Sequence, residues 1–333
     1  MIRPATLREA VAARGEYRAG GTDLLARRRL GLHDGEVVDL THIPGLAGIE
    51  RQEDGAVRIG ALTRIADVAS HPLVAGAYPA LANTAGSLAT PQIRAVGTIG
   101  GNLLQRNRCP YYRHPAFSCF KSGGDGCPAR HGDHSHGVIF DLGPCVSPHP
   151  SSIGAALLTY EAGVEVAGRG RLSVADLFGD GTDGRHDHRL GPGDVLVAVY
   201  LPPPLEGERA AYRRVTSRAL AEWPTVEAVC RLALDEENRI SVARVAVGGV
   251  APIPLRRPEV EDALVGVSAS DRTAIERAAR RATEGADPLP QTSHKVPLLE
   301  ALVADVVESA AAGDAHTEAG RAERGLPTKS GRL

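Results

Sequence analysis

Apolar residues recur along this chain with two periods. Alternation of every other residue marks "AVRIGAL" (56–62), "VLVAVYL" (195–201) and "TVEAVCRLAL" (225–234) as strands. Spacings of three and four in "TLREAVAA" (6–13), "TRIADVASH" (63–71), "YPALANTAGSL" (78–88) and "VPLLEALVADVVESAAAG" (296–313) predict helices. Near the N-terminus a short strand "EYRA", a Gly-Gly turn, a helix "TDLLARRRLG" and a strand "EVVDL" follow one another. That order predicts a βαβ-like start, with Thr22 as the helix N-cap and Gly31 as its stop. "DEEN" (235–238) breaks an apolar alternation as the turn of a β-hairpin, and two helical stretches follow it. Three consecutive prolines, 202–204, mark a linker. Residues 313–333 carry almost no apolar side chains and are expected to form a disordered tail.

The pattern fails in one place. Between residues 103 and 150 neither period persists, and prolines and glycines crowd the stretch "RCPYYRHPAFSCFKSGGDGCPARHGDHSHG" (108–137). Four of the chain's five cysteines, Cys109, Cys119, Cys127 and Cys145, lie in or just after it. Disulfides, a zinc site and an iron–sulfur cluster all use such a set. An odd count without a signal peptide weakens the disulfide reading, and the absence of close CxxC pairs weakens zinc. A wrapping loop of four thiolates also suits a cubane cluster, whose negative charge Arg108, Arg113 and Lys121 are placed to offset. His131, His134 and His136, like "RHDHR" (185–189), read as solvated surface residues. Cys230 reads as a small core side chain.

Composition adds exclusions. A length of 333 residues allows two or three domains, and a formal net charge of −2 gives no reason to expect nucleic acid or an anionic membrane as partner. The apolar runs are of strand length, too short to span a bilayer, so no membrane insertion is expected. Two glycine turns, "RAGGTDLL" (18–25) and "TIGGN" (98–102), let backbone N–H groups approach an anion, and together they suit the two phosphates of a pyrophosphate. No GxGxxG stands between a strand and a helix, the one match (179–184) running on into "RHDHRLGPGD", and no GxxxxGK[ST] is present, so a nucleotide would be held by another fold.

In order, "RAGGTDLL", "IGALTRIADV", "ATPQIRAVGTIGGNLLQ" and "VAVGGVAPIPLRRPEVEDAL" resemble the FAD-binding medium subunit of the xanthine dehydrogenase family of molybdenum hydroxylases, over about residues 4–312. The four-cysteine insertion resembles a narrower group, the flavin subunits of bacterial aldehyde oxidoreductase and 4-hydroxybenzoyl-CoA reductase, whose loop carries a [4Fe-4S] cluster. The resemblance implies an α+β fold: a two-part FAD-binding domain of the vanillyl-alcohol-oxidase type (1–55 and 56–203, with the cysteine loop at 103–150) and an α+β C-terminal domain at 207–312.

It further implies that Ala19, Gly20, Gly21, Thr22, Asp23, Leu24 and Leu25, with Thr98, Gly100, Gly101 and Asn102, hold the FAD pyrophosphate. Leu88 and Leu196 match apolar flavin contacts, and the four cysteines match the cluster ligands. Ser152 stands where many relatives carry Asp, and Arg214 where some carry Lys. The implied role is an electron-transfer subunit working with a molybdopterin-binding large subunit and a small subunit bearing two [2Fe-2S] clusters. The implied location is cytoplasmic, or periplasmic by export with a partner. The alternatives are a stand-alone FAD oxidoreductase of the same fold and a zinc-stabilised non-enzymatic scaffold.

Overall fold

A computed structural model describes residues 1–219 and 221–313, so the expected tail lies outside the described residues apart from Gly313. The chain opens with α1 (Leu7–Ala12), β1 (Glu16–Arg18), α2 (Leu24–Arg29) and β2 (Val37–Asp39). Thr6 starts α1 by accepting the Glu9 N–H. β1 and β2 pair in parallel, with Tyr17 opposite Val38, and α2 supplies the crossover that parallel pairing demands. α2 is entered through Asp23, one residue later than the Thr22 cap the sequence suggested, and neither side chain caps it, since Asp23 makes no cap hydrogen bond.

A second unit follows with β3 (Ile49–Arg51), β4 (Val57–Gly60), α3 (Ile65–Ser70), α4 (Pro72–Ala77), α5 (Pro79–Ser87), α6 (Pro91–Arg94) and α7 (Ile99–Leu103). Prolines open α4, α5 and α6, where a missing N–H costs nothing. Beyond the cysteine segment come α8 (Ser152–Thr159), β5 (Gly163–Val166), β6 (Gly170–Ser173), α9 (Val174–Phe178) and β7 (Leu196–Leu201). The strands form one antiparallel sheet in the order β3-β4-β7-β5-β6.

After the prolines, β8 (Glu208–Val215), β9 (Val226–Leu234), β10 (Ile240–Gly248) and β11 (Leu255–Arg256) form a second antiparallel sheet, followed by α10 (Pro258–Leu264), α11 (Arg272–Ala279) and α12 (Lys295–Ala311). Period-two alternation divides its side chains between two cores. Ala211, Cys230 and Val245 join Val303 and Val307 of α12, while Tyr212, Val229 and Ala246 join α5 and α8. Cys230 is thus the core residue its surroundings implied. α8 is buried along its whole length between the two sheets, which is why its sequence is apolar all round.

Among the described residues, the segment between α7 and α8 has no regular structure beyond two short 3-10 turns, Phe120–Ser122 and Pro128–Arg130. It is fastened to the C-terminal sheet through the backbone. Ile139 and Phe140 N–H donate to the Val250 carbonyl, and His149 N–H donates to that of Ala251. Lys295, only 2% exposed, reinforces this: its Nζ donates to the carbonyls of His136 (3.2 Å), Gly137 (2.7 Å) and Gly249 (2.8 Å).

Lys295→Met is expected to destabilise the fold by about 2 kcal/mol, because three buried carbonyls lose their donor. Burial pulls the Lys295 amine down to about 7, below its unfolded value of about 10.4. Between those values the unfolded chain binds the extra proton, so wild-type stability gains a rising component from about pH 7 to pH 10. Urea titrations across that range should show the rise in the wild type and its absence in Lys295→Met.

Candidate functional site

The turn between β1 and α2 packs directly on residues 96–101. A side chain at Gly20 would overlap the Val96 carbonyl, and Gly21 has φ +74°, so both positions require glycine. Among the described residues, no protein acceptor takes the backbone N–H of Gly20, Gly21, Thr22, Asp23 or Leu24. These amides therefore face a ligand or water.

The second glycine turn is built differently. Ile99 N–H donates to Thr63, Gly100 N–H to Ala61, and Asn102 N–H to the Thr98 carbonyl, while Gly101 N–H donates to the Thr98 hydroxyl at 3.1 Å. Its donors hold the turn, and the Asn102 side chain accepts from Ser151, the cap of α8, at 2.7 Å. The two turns were expected to be alike. They form two walls of one cavity of about 110 Å³, lined by residues including Ala19, Gly20, Gly21, Thr22, Thr98, Gly100, Gly101 and Leu196. Leu24 lines it too, whereas Leu25 points outward with 46% exposure. Leu88 sits at the end of α5, outside that lining, and its carbonyl accepts from Arg94.

Asp23 has a separate task. Its Oδ1 accepts from Arg113 (2.7 Å) and from Arg108, and its Oδ2 from Arg27 (3.0 Å) and the Arg106 backbone N–H (3.2 Å). Burial opposes ionisation here, but the guanidiniums of Arg108, Arg113 and Arg27 overcome it and hold the carboxyl well below the usual range. One carboxylate thus ties the glycine turn to the start of the cysteine segment.

Cys109, Cys119, Cys127 and Cys145 all line a second cavity, of about 540 Å³. All five cysteines of the chain are free thiols. The backbone N–H groups of Tyr112 and Tyr111 point at the Cys109 sulfur, and that of Ser147 at Cys145. The Ser122 hydroxyl lies 3.6 Å from the Cys119 sulfur. Burial pushes the Cys109 thiol up and the Cys145 thiol to about 11. Hydrogen-bonded, enclosed sulfurs of this kind suit thiolates bound to a cluster, whose charge the donors offset. Among the described residues no three His, Cys, Asp or Glu side chains gather as a single ion's ligand set requires; the thiols stand around the cavity wall instead.

The basic residues beside the cysteines are not where charge pattern alone put them. Arg108 and Arg113 turn to Asp23. Lys121 remains near Cys145 but is paired with buried Asp187 (2.9 Å), which also holds Arg106 (2.8 Å). "RHDHR" is therefore no simple surface run: Asp187 is buried and His188 half-buried within it. Arg130, which sequence reasoning passed over, grips Asp141 through both terminal nitrogens (2.6 and 2.8 Å) and donates to the Gly143 and Pro144 carbonyls. It thereby joins the turn after Cys127 to the strand of chain before Cys145. Of the three histidines expected at the surface, His131 and His136 are exposed, but His134 is buried and held by Ala129, Gly132 and Gln291.

Ser152 and Arg214 come together deep between α8 and β8, 1% and 6% exposed. They meet Glu227 of β9, 1% exposed, whose carboxylate accepts from Tyr212 at 2.8 Å. Burial pushes the Glu227 carboxyl up, while Ser152, Tyr212 and Arg214 work the other way. A side chain at Gly248, its cross-strand partner, would overlap this carboxyl. A Glu at an inward position of an otherwise apolar strand was the signal available in the sequence.

The family described as the FAD binding domain in molybdopterin dehydrogenase matches residues 1–204, and the CO dehydrogenase flavoprotein C-terminal domain matches residues 210–297. The chain is 36% identical over 249 residues to the aldehyde oxidoreductase FAD-binding subunit PaoB of Escherichia coli (strain K12), covering 72% of this chain and 76% of that protein. It is 30% identical over 295 residues to the carbon monoxide dehydrogenase medium chain of Hydrogenophaga pseudoflava, covering 86% of each. A solved structure of carbon monoxide dehydrogenase from Hydrogenophaga pseudoflava, lacking the Mo-pyranopterin moiety, aligns with a TM-score of 0.73 at 26% identity, over 94% of this chain and 96% of that one.

Asp23→Asn should leave three guanidiniums facing one neutral group and cost about 3 kcal/mol at pH 7. The folded Asp23 titrates below its unfolded value of about 3.9. Its stabilisation is therefore complete above about pH 4 and fades as pH falls through the folded value. Denaturation curves from neutral to acid pH should converge for wild type and variant; parallel curves would show that the clamp carries no charge-dependent energy.

Proposed function

Because the chain belongs to the FAD-binding medium subunits of the molybdopterin dehydrogenases, we propose that it is the electron-transfer flavoprotein of a multi-subunit molybdenum hydroxylase, carrying FAD and one [4Fe-4S] cluster. The observation that carries the cluster reading is that four cysteines scattered over 37 positions of sequence line a single cavity, one wall of which, at Arg108, is paired to Asp23 of the first glycine turn.

FAD, when bound, supplies the exchange of electrons singly or as a pair between partners of different kinds. The open amides of Gly20 to Leu24, with the Thr22 hydroxyl, suit its pyrophosphate, aided by the positive end of α2. Thr98, Gly100 and Gly101 shape the facing wall, Asn102 stands behind it against the Ser151 cap of α8, and Leu196 gives the wall an apolar side. Ser152 and Arg214 serve the cofactor from the buried polar group around Glu227, whereas Leu88, at the end of α5, lies outside the lining of the glycine-turn cavity. Cys109, Cys119, Cys127 and Cys145 ligate the cluster, which supplies a one-electron site. Arg130 and the Lys121–Asp187 pair keep two cysteine-bearing segments in register around it.

Substrate chemistry belongs to a molybdopterin-binding large subunit in this reading, and a small subunit with two [2Fe-2S] clusters connects it to the flavin. Two relatives named as a medium chain and a FAD-binding subunit support a subunit role over a stand-alone oxidoreductase. Among the described residues no helix is long and apolar enough to cross a membrane. The complex is assigned to the cytoplasm, or to the periplasm if a partner carries the export signal.

Purified with its partners, the chain should contain FAD, together with iron and acid-labile sulfide in cluster stoichiometry. Zinc in their place, or a colourless protein, would sink the reading. Two variants separate the sites. Gly20→Ala forces the glycine turn off Val96 and should lower FAD retention at least about tenfold, a loss of roughly 1.4 kcal/mol, with iron unchanged. Cys119→Ala should lose iron and sulfide while keeping FAD.

A further inference from the structure

We infer that Asn107 and His149 donate N–H hydrogen bonds to the sulfur atoms of the cluster and thereby raise its reduction potential. The inference rests on the [4Fe-4S] reading above and names residues beyond its four ligands. Both side chains line the cysteine cavity, at 1% and 3% exposure. Asn107 Nδ2 has no protein partner, and His149 Nε2 makes no full hydrogen bond, its nearest protein acceptor being the Asp187 backbone carbonyl. A donor this deeply enclosed normally has a partner, and an orphan on a cavity wall points to an acceptor held in the cavity.

The orientation of both groups is set from behind. Asn107 Oδ1 accepts from the Cys109 backbone N–H (2.9 Å) and from the Ser147 hydroxyl (3.4 Å), which fixes the amide with its NH₂ on the other side. His149 Nδ1 accepts from the Ser151 N–H (3.2 Å), so the neutral ring carries its proton on Nε2. Burial pulls this ring down to about 3, and it stays neutral at ordinary pH. The two donors approach from different sides. Asn107 stands beside Cys109, while His149 shares the neighbourhood of Lys121 and Asp187 with Cys145.

The acceptor chemistry matches. Thiolates and inorganic sulfides are soft acceptors whose negative charge grows when the cluster gains an electron. An N–H aimed at them stabilises the reduced form more than the oxidised one.

The test is an EPR-monitored redox titration of the assembled complex carrying His149→Phe or Asn107→Ser. Each variant should shift the cluster's one-electron equilibrium about tenfold toward the oxidised form, a midpoint about 59 mV more negative, with the flavin midpoint unmoved. His149→Gln, which retains a donor, should restore most of the shift. Pulsed EPR of the reduced wild-type protein should show coupling to a histidine nitrogen, a readout that needs no variant to load its cluster. Unchanged cluster potentials with no histidine coupling overturn the inference. A flavin shift in place of a cluster shift overturns it too, by assigning these donors to the flavin. Absence of iron and sulfide from the wild-type chain would instead fail the underlying reading.

Discussion

The Asp23 carboxylate is the point on which the two halves of the site depend. It closes the glycine turn, and it receives Arg27 from its own helix with Arg108 and Arg113 from the cysteine segment. A buried carboxylate among several guanidiniums is stable only as a complete set, because removing one member leaves a charge uncompensated in a poor solvent for it. Glycine turn and cysteine segment are therefore held as one unit, although more than eighty residues separate them in sequence. Asp187 repeats the arrangement farther along, joining Arg106 and Lys121.

These ion pairs explain how a long segment without helix or strand keeps a defined shape. It has a small apolar core of its own, Ala129, Val138 and Val146, with Cys109 and Cys127 against it. The remaining order comes from charges and amines that cross-link its turns: Arg130 to Asp141, and Lys295 to three carbonyls. Charged groups suit this role beside an open cavity, since apolar packing that filled the gap would also fill the cavity.

The C-terminal sheet does more than cap the flavin domain. Its inward face carries Tyr212, Arg214 and Glu227 to the N-terminal end of α8, where Ser152 waits. With Gly248 opposite, Glu227 has room that any side chain would deny it. The sheet register thus brings a carboxyl from β9 against Ser152 of α8.

Much of this architecture was legible in the sequence, for a physical reason. Amphipathic period depends on local geometry, so β4, β7, β9 and α12 appeared from their alternation, and the glycine pairs marked turns that tolerate no side chain. The cysteine spacing marked a segment that the fold wraps around one cavity, and the order of motifs indicated the family. What the sequence did not contain was the pairing of charges. Whether Arg108 faces a cluster or Asp23, whether His134 is solvated or buried, and whether "RHDHR" is surface or core turns on long-range packing. Lone residues carry no periodic signal of their partners. The two glycine turns show the same limit: their sequences are near-equivalent, but only tertiary contacts with Ala61 and Thr63 use up the amides of one and leave those of the other open. Local pattern determined which elements form; the folded structure alone decided which polar groups remain free to meet a cofactor.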